Sequence, residues 1–405
     1  MPRSASITAQ TRAEKPAGPA RDRSTRGARP FSCIIGGVLS LLLLGCASSR
    51  IKVKLSAPSH DAAWSQARRD QANTAFVRGP AQIPDGLLWE AKTDGEVRAE
   101  LTADRGVIVA ASWDGRLYFF AAQTGKRIHR EEFKGPPTSV VFAGDSLAFV
   151  ITGKKGSFFL WDIQRQSKLG ERFIASAAAP PLRLPDGWLI QTLSGDLFKL
   201  NADGETAWSR RFAVPLLAEP AYRDGRVFLV TGGKKVTCLD ADSGTVIWDH
   251  SSAGAHAGAP AVDVMVYFGS LDSNFYALSV ETGEMQWFFH TGGQVFTSPA
   301  IDRERVYFGA NDGFFYALDK QTGRLVWKLA AGLVHNSSPA VWGSTVIFGT
   351  SDGRLLVVDT AAGKIIREFR TRGSIYSPPI IYENKIYVTD TKRRLYCFGS
   401  TGETP

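Results

Sequence analysis

The chain has 405 residues, 44% hydrophobic and 11% aromatic, with 40 glycines and 10 tryptophans; this excludes a disordered or fibrous protein and suits an all-β globular one. Its formal charge of +9 is concentrated at the start: residues 1–45 hold seven Lys/Arg against two acids, leaving 41 basic and 37 acidic side chains beyond them. That near-balance provides no strong field for polyanions, and with no basic-aromatic module present, nucleic acid is excluded as a partner.

Residues 1–30 are rich in Arg, Ser, Ala and Pro and show no periodicity. "FSCIIGGVLSLLLLGCASSR" follows, Phe31 to Arg50. Its apolar run is shorter than the roughly 20 residues a membrane-spanning helix needs. A charged flank, a short apolar core and small residues at the end are the parts of a secretory signal. The ending Leu43-Leu44-Gly45-Cys46 resembles a bacterial lipobox. That resemblance implies cleavage between Gly45 and Cys46, lipid attachment at Cys46, and a stable membrane anchor from several acyl chains. Ala47 and Ser48 after the cysteine, by resemblance to proteobacterial sorting rules, favour the outer membrane. Residues 1–45 are therefore read as a lipoprotein signal peptide with a long basic leader. Residues 46–84 are read as a lipid-anchored tether followed by a segment packed on the rim of the domain at 85–405.

From Gly86 onward the chain repeats with a period near 40, the mark of a propeller or solenoid. The sixth unit shows the pattern best. "TSPAI" (Thr297–Ile301) is a short strand, "VYFGA" (Val306–Ala310) alternates as a strand, and Asn311-Asp312-Gly313 makes a tight turn. "FFYALD" (Phe314–Asp319) and "RLVWKL" (Arg324–Leu329) complete four antiparallel strands around the turn at Gln321-Thr322-Gly323. Eight units begin near Gly95, Gly135, Ala175, Val214, Gly254, Gly292, Gly332 and Gly373. The last stops before its fourth strand. "GLLWEAKT" (Gly86–Thr93), with Trp89 in register, supplies it from the other end of the domain and closes the ring, which removes free sheet edges. The fold read from this pattern is an all-β, eight-bladed β-propeller of four-stranded antiparallel blades closed by the strand around Trp89. Blade two lacks the turn glycine; its collapse into a loop would leave seven.

The recurrent phrase A-x-D-x-x-T-G-x-x-x-W is complete as Ala317, Asp319, Thr322, Gly323 and Trp327, and nearly so as Ala277, Thr282, Gly283 and Trp287. Trp208 and Trp248 repeat the last position, with Gly244 at a further turn; His129 and Arg367 replace the Trp in two units. The phrase resembles the tryptophan-docking motif of the pyrroloquinoline-quinone-type repeat propellers. That resemblance implies an indole laid between its own blade's Ala and the Gly peptide of the next, a clamp with no chemistry of its own. "WSQARRDQANTAF" (Trp64–Phe76) is similar to the segment that precedes the propeller in quinoprotein relatives.

Catalytic marks are weak. Quinoprotein dehydrogenases carry a vicinal cysteine pair, Ca²⁺ ligands and a catalytic Asp on longer chains. Here Cys33, Cys46, Cys238 and Cys397 are scattered and show no metal spacing. Gly349-Thr350-Ser351-Asp352-Gly353 matches G-x-S-x-G, but its register is that of the Asn311 hairpin, not a strand-to-helix elbow. Asp240-Ala241-Asp242-Ser243-Gly244 lacks the spacing of a calcium loop. His256 and His335 each precede a first-strand proline by four residues. With Phe296, Asn336 and Tyr376 they form a candidate ligand site at the channel mouth. Neither a catalytic residue, a cofactor nor a metal is assigned.

A lipobox followed by these repeats resembles the BamB family of outer-membrane protein assembly lipoproteins. The resemblance implies a non-enzymatic, periplasm-facing scaffold anchored to the outer membrane, a BamA-like partner in the β-barrel assembly machinery, and contact with unfolded outer-membrane proteins.

Overall fold

The computed structural model describes residues 63–402 except 145, 153–155, 176, 178, 217, 257, 335 and 336. Its architecture is a ring of eight four-stranded antiparallel sheets. Blades 1 to 7 span 102–132, 141–173, 182–211, 221–251, 261–290, 300–330 and 340–370. Blade 8 is built from Ile380–Tyr382, Lys385–Asp390 and Arg394–Gly399, with Gly86–Lys92 as its outermost strand. The first strands of neighbouring blades touch one another around the central axis.

Ring closure follows the sequence expectation. Trp89 lies opposite Cys397 and Leu87 opposite Phe398 in an antiparallel ladder. Asp85 N–H donates to Gly399 O at 3.1 Å, and Thr401 N–H to Asp85 Oδ1 at 2.7 Å.

The alternation expected for "VYFGA" is absent, because Val306, Tyr307, Phe308 and Ala310 are all buried. Each sheet is covered on both faces by its neighbours, so its middle strands are apolar throughout. Alternation is clearest on the outermost strands, such as Leu325–Ala330, where one edge meets solvent. Stacked ring pairs bind adjacent blades: Phe275 and Phe308 lie 3.9 Å apart between centroids, Phe315 and Phe348 3.8 Å.

Blade 2 is complete despite its degenerate sequence. Ser167–Phe173 pairs with Ser157–Asp162 through a bulge that sets Gly170 opposite Leu160, where the other blades carry their docking side chain. Other groups join this blade to its neighbours. Phe133 of blade 1 meets Phe149, Phe159 and Trp161 edge-on. Arg172 donates to Gly204 O of blade 3 at 2.6 Å.

The rim position expected for the segment before the propeller is corrected. Trp64–Val77 runs across one end of the central channel. The innermost strands leave main-chain N–H groups facing the axis, and a buried donor needs a partner. The segment supplies carbonyls to six blades. Ala103 N–H donates to Trp64 O, Phe142 to Ser65 O, Tyr222 to Gln71 O, Val262 to Ala72 O, Ile301 to Thr74 O and Val341 to Ala75 O, all at 2.6–2.9 Å. Positive φ at Arg68, Arg69, Asn73 and Ala75 bends the chain from one blade to the next, and Phe76–Val77 ends it as a short parallel strand on blade 7.

Candidate functional site

Five interfaces carry the indole clamp. Trp89, Trp208, Trp248, Trp287 and Trp327 donate Nε1–H to the carbonyls of Ala122, Ala241, Val280, Lys320 and Thr360 at 2.8–3.2 Å, always one blade onward. Trp287 lies opposite Ala277, and Trp327 opposite Ala317, in their own blades. A Cβ on Gly244 would sit 2.8 Å from the Trp208 ring, on Gly283 2.5 Å from Trp248, and on Gly323 2.6 Å from Trp287. Those glycines also hold φ near +70°, so both sterics and backbone require them. Asp319 Oδ1 accepts Thr322 N–H at 2.8 Å and Thr322 Oγ1 at 2.7 Å, tying the turn. Asp240 does the same for Ser243. These contacts are structural, and Ser351 likewise occupies a hairpin turn, donating its N–H to Leu333 O.

Among the described residues, a cavity of about 1100 Å³ occupies the central channel. Trp113 and Leu193, 61% and 46% exposed, stand at its open end, and Arg68, 2% exposed, at its closed end. One position per blade, just before the first strand, contributes a ring of lining groups. It holds Glu100, Ser139, Glu219, Ala259, Ser298 and Ser338, with prolines in blades 3 and 8. Glutamates occur only in blades 1 and 4, and the plug segment sets Arg68 between them.

Arg68 donates Nη1–H to Pro339 O at 3.0 Å and Nη2–H to Pro299 O at 2.7 Å. Glu100 Oε1 accepts Trp64 Nε1–H at 2.6 Å and Arg68 N–H at 2.9 Å. Burial pushes the Glu100 carboxyl up to about 7, a rise that Arg68 and the Trp64 hydrogen bond only partly offset. Burial raises Glu219 as well, with Arg68 as its one opposing charge. The same desolvation pulls Arg68 down from its ordinary value against the attraction of Glu100, Glu219 and Asp70. A guanidinium nevertheless stays charged in proteins.

The folded protein therefore holds the Glu100 proton more tightly than the unfolded chain does. The stability this confers is full below the ordinary carboxyl range and is lost as pH rises through about 7. Glu100→Gln keeps an acceptor for Trp64 and Arg68 without the ionisation. Between about pH 5 and pH 8 the unsubstituted protein is expected to lose more stability than this variant, read from urea midpoints. Parallel pH profiles would refute the assignment.

The residues proposed for the channel mouth separate. Phe296 and Tyr376 line the cavity. His256 does not: it is buried in the blade wall, with Nδ1 3.3 Å from Gly269 O, Nε2 2.8 Å from Ser252 Oγ and Phe268 edge-on at 4.8 Å. Burial depresses it to about 4, so it is neutral. Val295, Val334 and Ile375 pack in the matching wall position of blades 6 to 8, each against the glycine ending the preceding blade's second strand. His335 and Asn336 lie outside the described residues, as do Gly45 and Cys46. Cys238 and Cys397 are buried, unpaired, and in blades 4 and 8. Sequence reasoning missed Arg68, Glu100 and Glu219. The repeat register could have found the two glutamates, since both fall where other blades place Ser, Ala or Pro.

A family model described as outer membrane protein assembly factor BamB matches residues 71–159, 159–259 and 232–404. The outer membrane protein assembly factor BamB of Nitrosomonas eutropha is 28% identical over 231 residues, covering 54% of this chain and 56% of that protein. The chain spans about half the length of the curated relatives it matches. BamB from Moraxella catarrhalis superposes with a TM-score of 0.68 at 18% identity, over 79% of this chain and 99% of that one. Quinohemoprotein alcohol dehydrogenase from Comamonas testosteroni gives 0.70 at 13% identity, over 86% and 82%. At these identities the two structures show a shared fold alone.

The dehydrogenase likeness raises the question of a quinone cofactor in the channel. The residues here do not fit one. Pyrroloquinoline quinone is itself a carboxylate-bearing anion, and the closed end presents Glu100 and Glu219 beside a guanidinium whose two terminal nitrogens are committed to prolyl carbonyls, only Nε being left over. Among the described residues, no group of three or more His, Cys, Asp or Glu is placed to hold a metal beside it.

Proposed function

Given that the chain belongs to the outer membrane protein assembly factor BamB family, we propose that it is a non-enzymatic scaffold lipoprotein of the bacterial cell envelope. In this reading it is anchored to the outer membrane through Cys46, faces the periplasm and assists insertion of β-barrel proteins. Residues 1–45 are its signal peptide, and 46–84 hold its lipid-anchored tether followed by the segment that leads into the propeller. A BamA-like barrel-insertion protein is its partner, and unfolded outer-membrane chains are its clients.

The observation that carries the reading beyond the family is the belt of outermost strands. Each pairs on one side only, and together they expose large apolar side chains. Phe173 is 64% exposed, Phe288 55%, Leu169 51%, Met285 47% and Leu325 45%. An unpaired edge flanked by apolar side chains suits an extended chain that adds as a further strand, the backbone supplying affinity and the side chains a loose preference.

Affinity purification from membranes in mild detergent is expected to recover a BamA-like protein. Its absence, with other envelope proteins captured instead, would sink the proposal. Cys46→Ala is expected to leave the leader uncut or to release the protein from the membrane fraction. Lipid labelling unchanged in that variant would refute the anchor.

A further inference from the structure

We propose that the closed end of the channel binds a basic side chain, a lysyl ammonium or arginyl guanidinium, carried on a peptide that enters between Trp113 and Leu193. The site does not depend on a role in barrel assembly.

Three observations converge on it. First, the charges do not balance. Two carboxylates, Glu100 and Glu219, line the closed end against one guanidinium, and Arg68 spends Nη1 and Nη2 on Pro339 O and Pro299 O. Glu100, 7% exposed, lines the cavity and takes both of its hydrogen bonds, from Trp64 and Arg68, on Oε1. Among the described residues, Glu219 makes no hydrogen bond to another residue. Burial holds both carboxyls above their usual range, as expected where a counter-charge is wanting.

Second, unused donors lie on the arc of the ring between Glu219 and Glu100, in blades 6 and 7. Ser298 and Ser338 are each 7% exposed and line the cavity. Their hydroxyls accept the N–H groups of Ala259 and Ser298 at 2.8 and 2.9 Å. Neither hydroxyl proton has an acceptor among the described residues. A buried donor left unmade is unfavourable, and a peptide carbonyl would take it. A bare metal ion offers nothing to these donors, and an anion would be repelled by the glutamates.

Third, the walls above the glutamates are apolar and aromatic. Phe296, Tyr376, Pro136 and Pro137 line the path from the mouth. They can cover an alkyl stem and stack on a cation. At the mouth, Arg98 already stacks on Trp113, 4.9 Å from the ring centroid.

The test is calorimetry on the purified full-length protein with three probes. They are an end-blocked pentapeptide Ala-Ala-Lys-Ala-Ala, its norleucine analogue, and pentylamine. The lysine peptide is expected to bind about tenfold or more tightly than the norleucine peptide, the usual worth of a charge-assisted hydrogen bond. Glu219→Gln, which keeps shape and removes charge, is expected to abolish that difference while leaving the melting temperature close to that of the parent. Should that variant fail to fold, the pair Ser298→Ala and Ser338→Ala is expected to weaken the lysine peptide several-fold. Equal binding of the two peptides, no binding of either, or full affinity in both variants would overturn the proposal. Pentylamine as tight as the lysine peptide would overturn the assignment to a peptide.

Discussion

Arg68→Ala is expected to destabilise the protein by about 3–5 kcal/mol, the range for removing one partner of a buried charge cluster. The guanidinium is 2% exposed and donates to Pro299 O and Pro339 O, so truncation orphans two carbonyls of blades 6 and 7. It also leaves Glu100 and Glu219 without their nearest opposing charge. The loss should be greater at about pH 8 than at pH 6, because protonation relieves uncompensated carboxylates in the acid direction. Adding Glu100→Gln and Glu219→Gln to the variant should restore part of the loss, since a neutral amide is far less unfavourable to bury than an unpaired charge. Urea unfolding at the two pH values measures both claims. A loss below about 1 kcal/mol, the scale of an exposed ion pair, would mean that Arg68 is not the counter-ion of this end of the channel.

The second large effect is expected at the clamp between blades 5 and 6. Trp287→Ala should lower stability by about 3 kcal/mol, the low end of the range for large-to-small changes at buried aromatics, because the indole is half-buried. It removes the indole bond to Lys320 O at 3.2 Å and the face laid against Gly323. Gly323→Ala should also be damaging, for two separable reasons. A Cβ would meet the Trp287 ring at 2.6 Å, and φ is +69°. In a Trp287→Ala background only the backbone strain remains, about 1–2 kcal/mol. The two substitutions should therefore combine to less than their sum, with a coupling of about 1 kcal/mol or more. Strict additivity would show that ring and glycine do not act as a pair. Arg367, the exposed residue in the docking position of blade 7, is the control. Its replacement by alanine should shift stability by no more than about 0.5 kcal/mol.

The ring was legible because its determinants are local and repeated. Each turn declares itself within a few residues, as Asn311-Asp312-Gly313 does, and each indole is matched by a glycine one period onward. Blade 2 kept its four strands although its sequence reads poorly, because apolar side chains such as Phe149, Phe158 and Phe159 still occupy its middle strands. Of the two histidines paired by distance from a proline, His256 packs in the blade wall rather than the channel, and His335 lies outside the described residues; Val334 packs in the wall of blade 7 against Gly309.

By itself the sequence determined the all-β class, the eight repeat units, the strand that closes the ring and the clamps that hold it. All of these follow from periodic apolar patterning and from turns that need glycine. Only the tertiary structure decided where Trp64–Val77 goes and what it brings together. That segment repeats nothing, and its carbonyls find partners only once the inner strands surround an axis. Arg68, Glu100 and Glu219 come from three separate stretches of chain. They meet because ring closure carries one position of each blade to the same small circle, and what a charge meets there is a property of the closed ring.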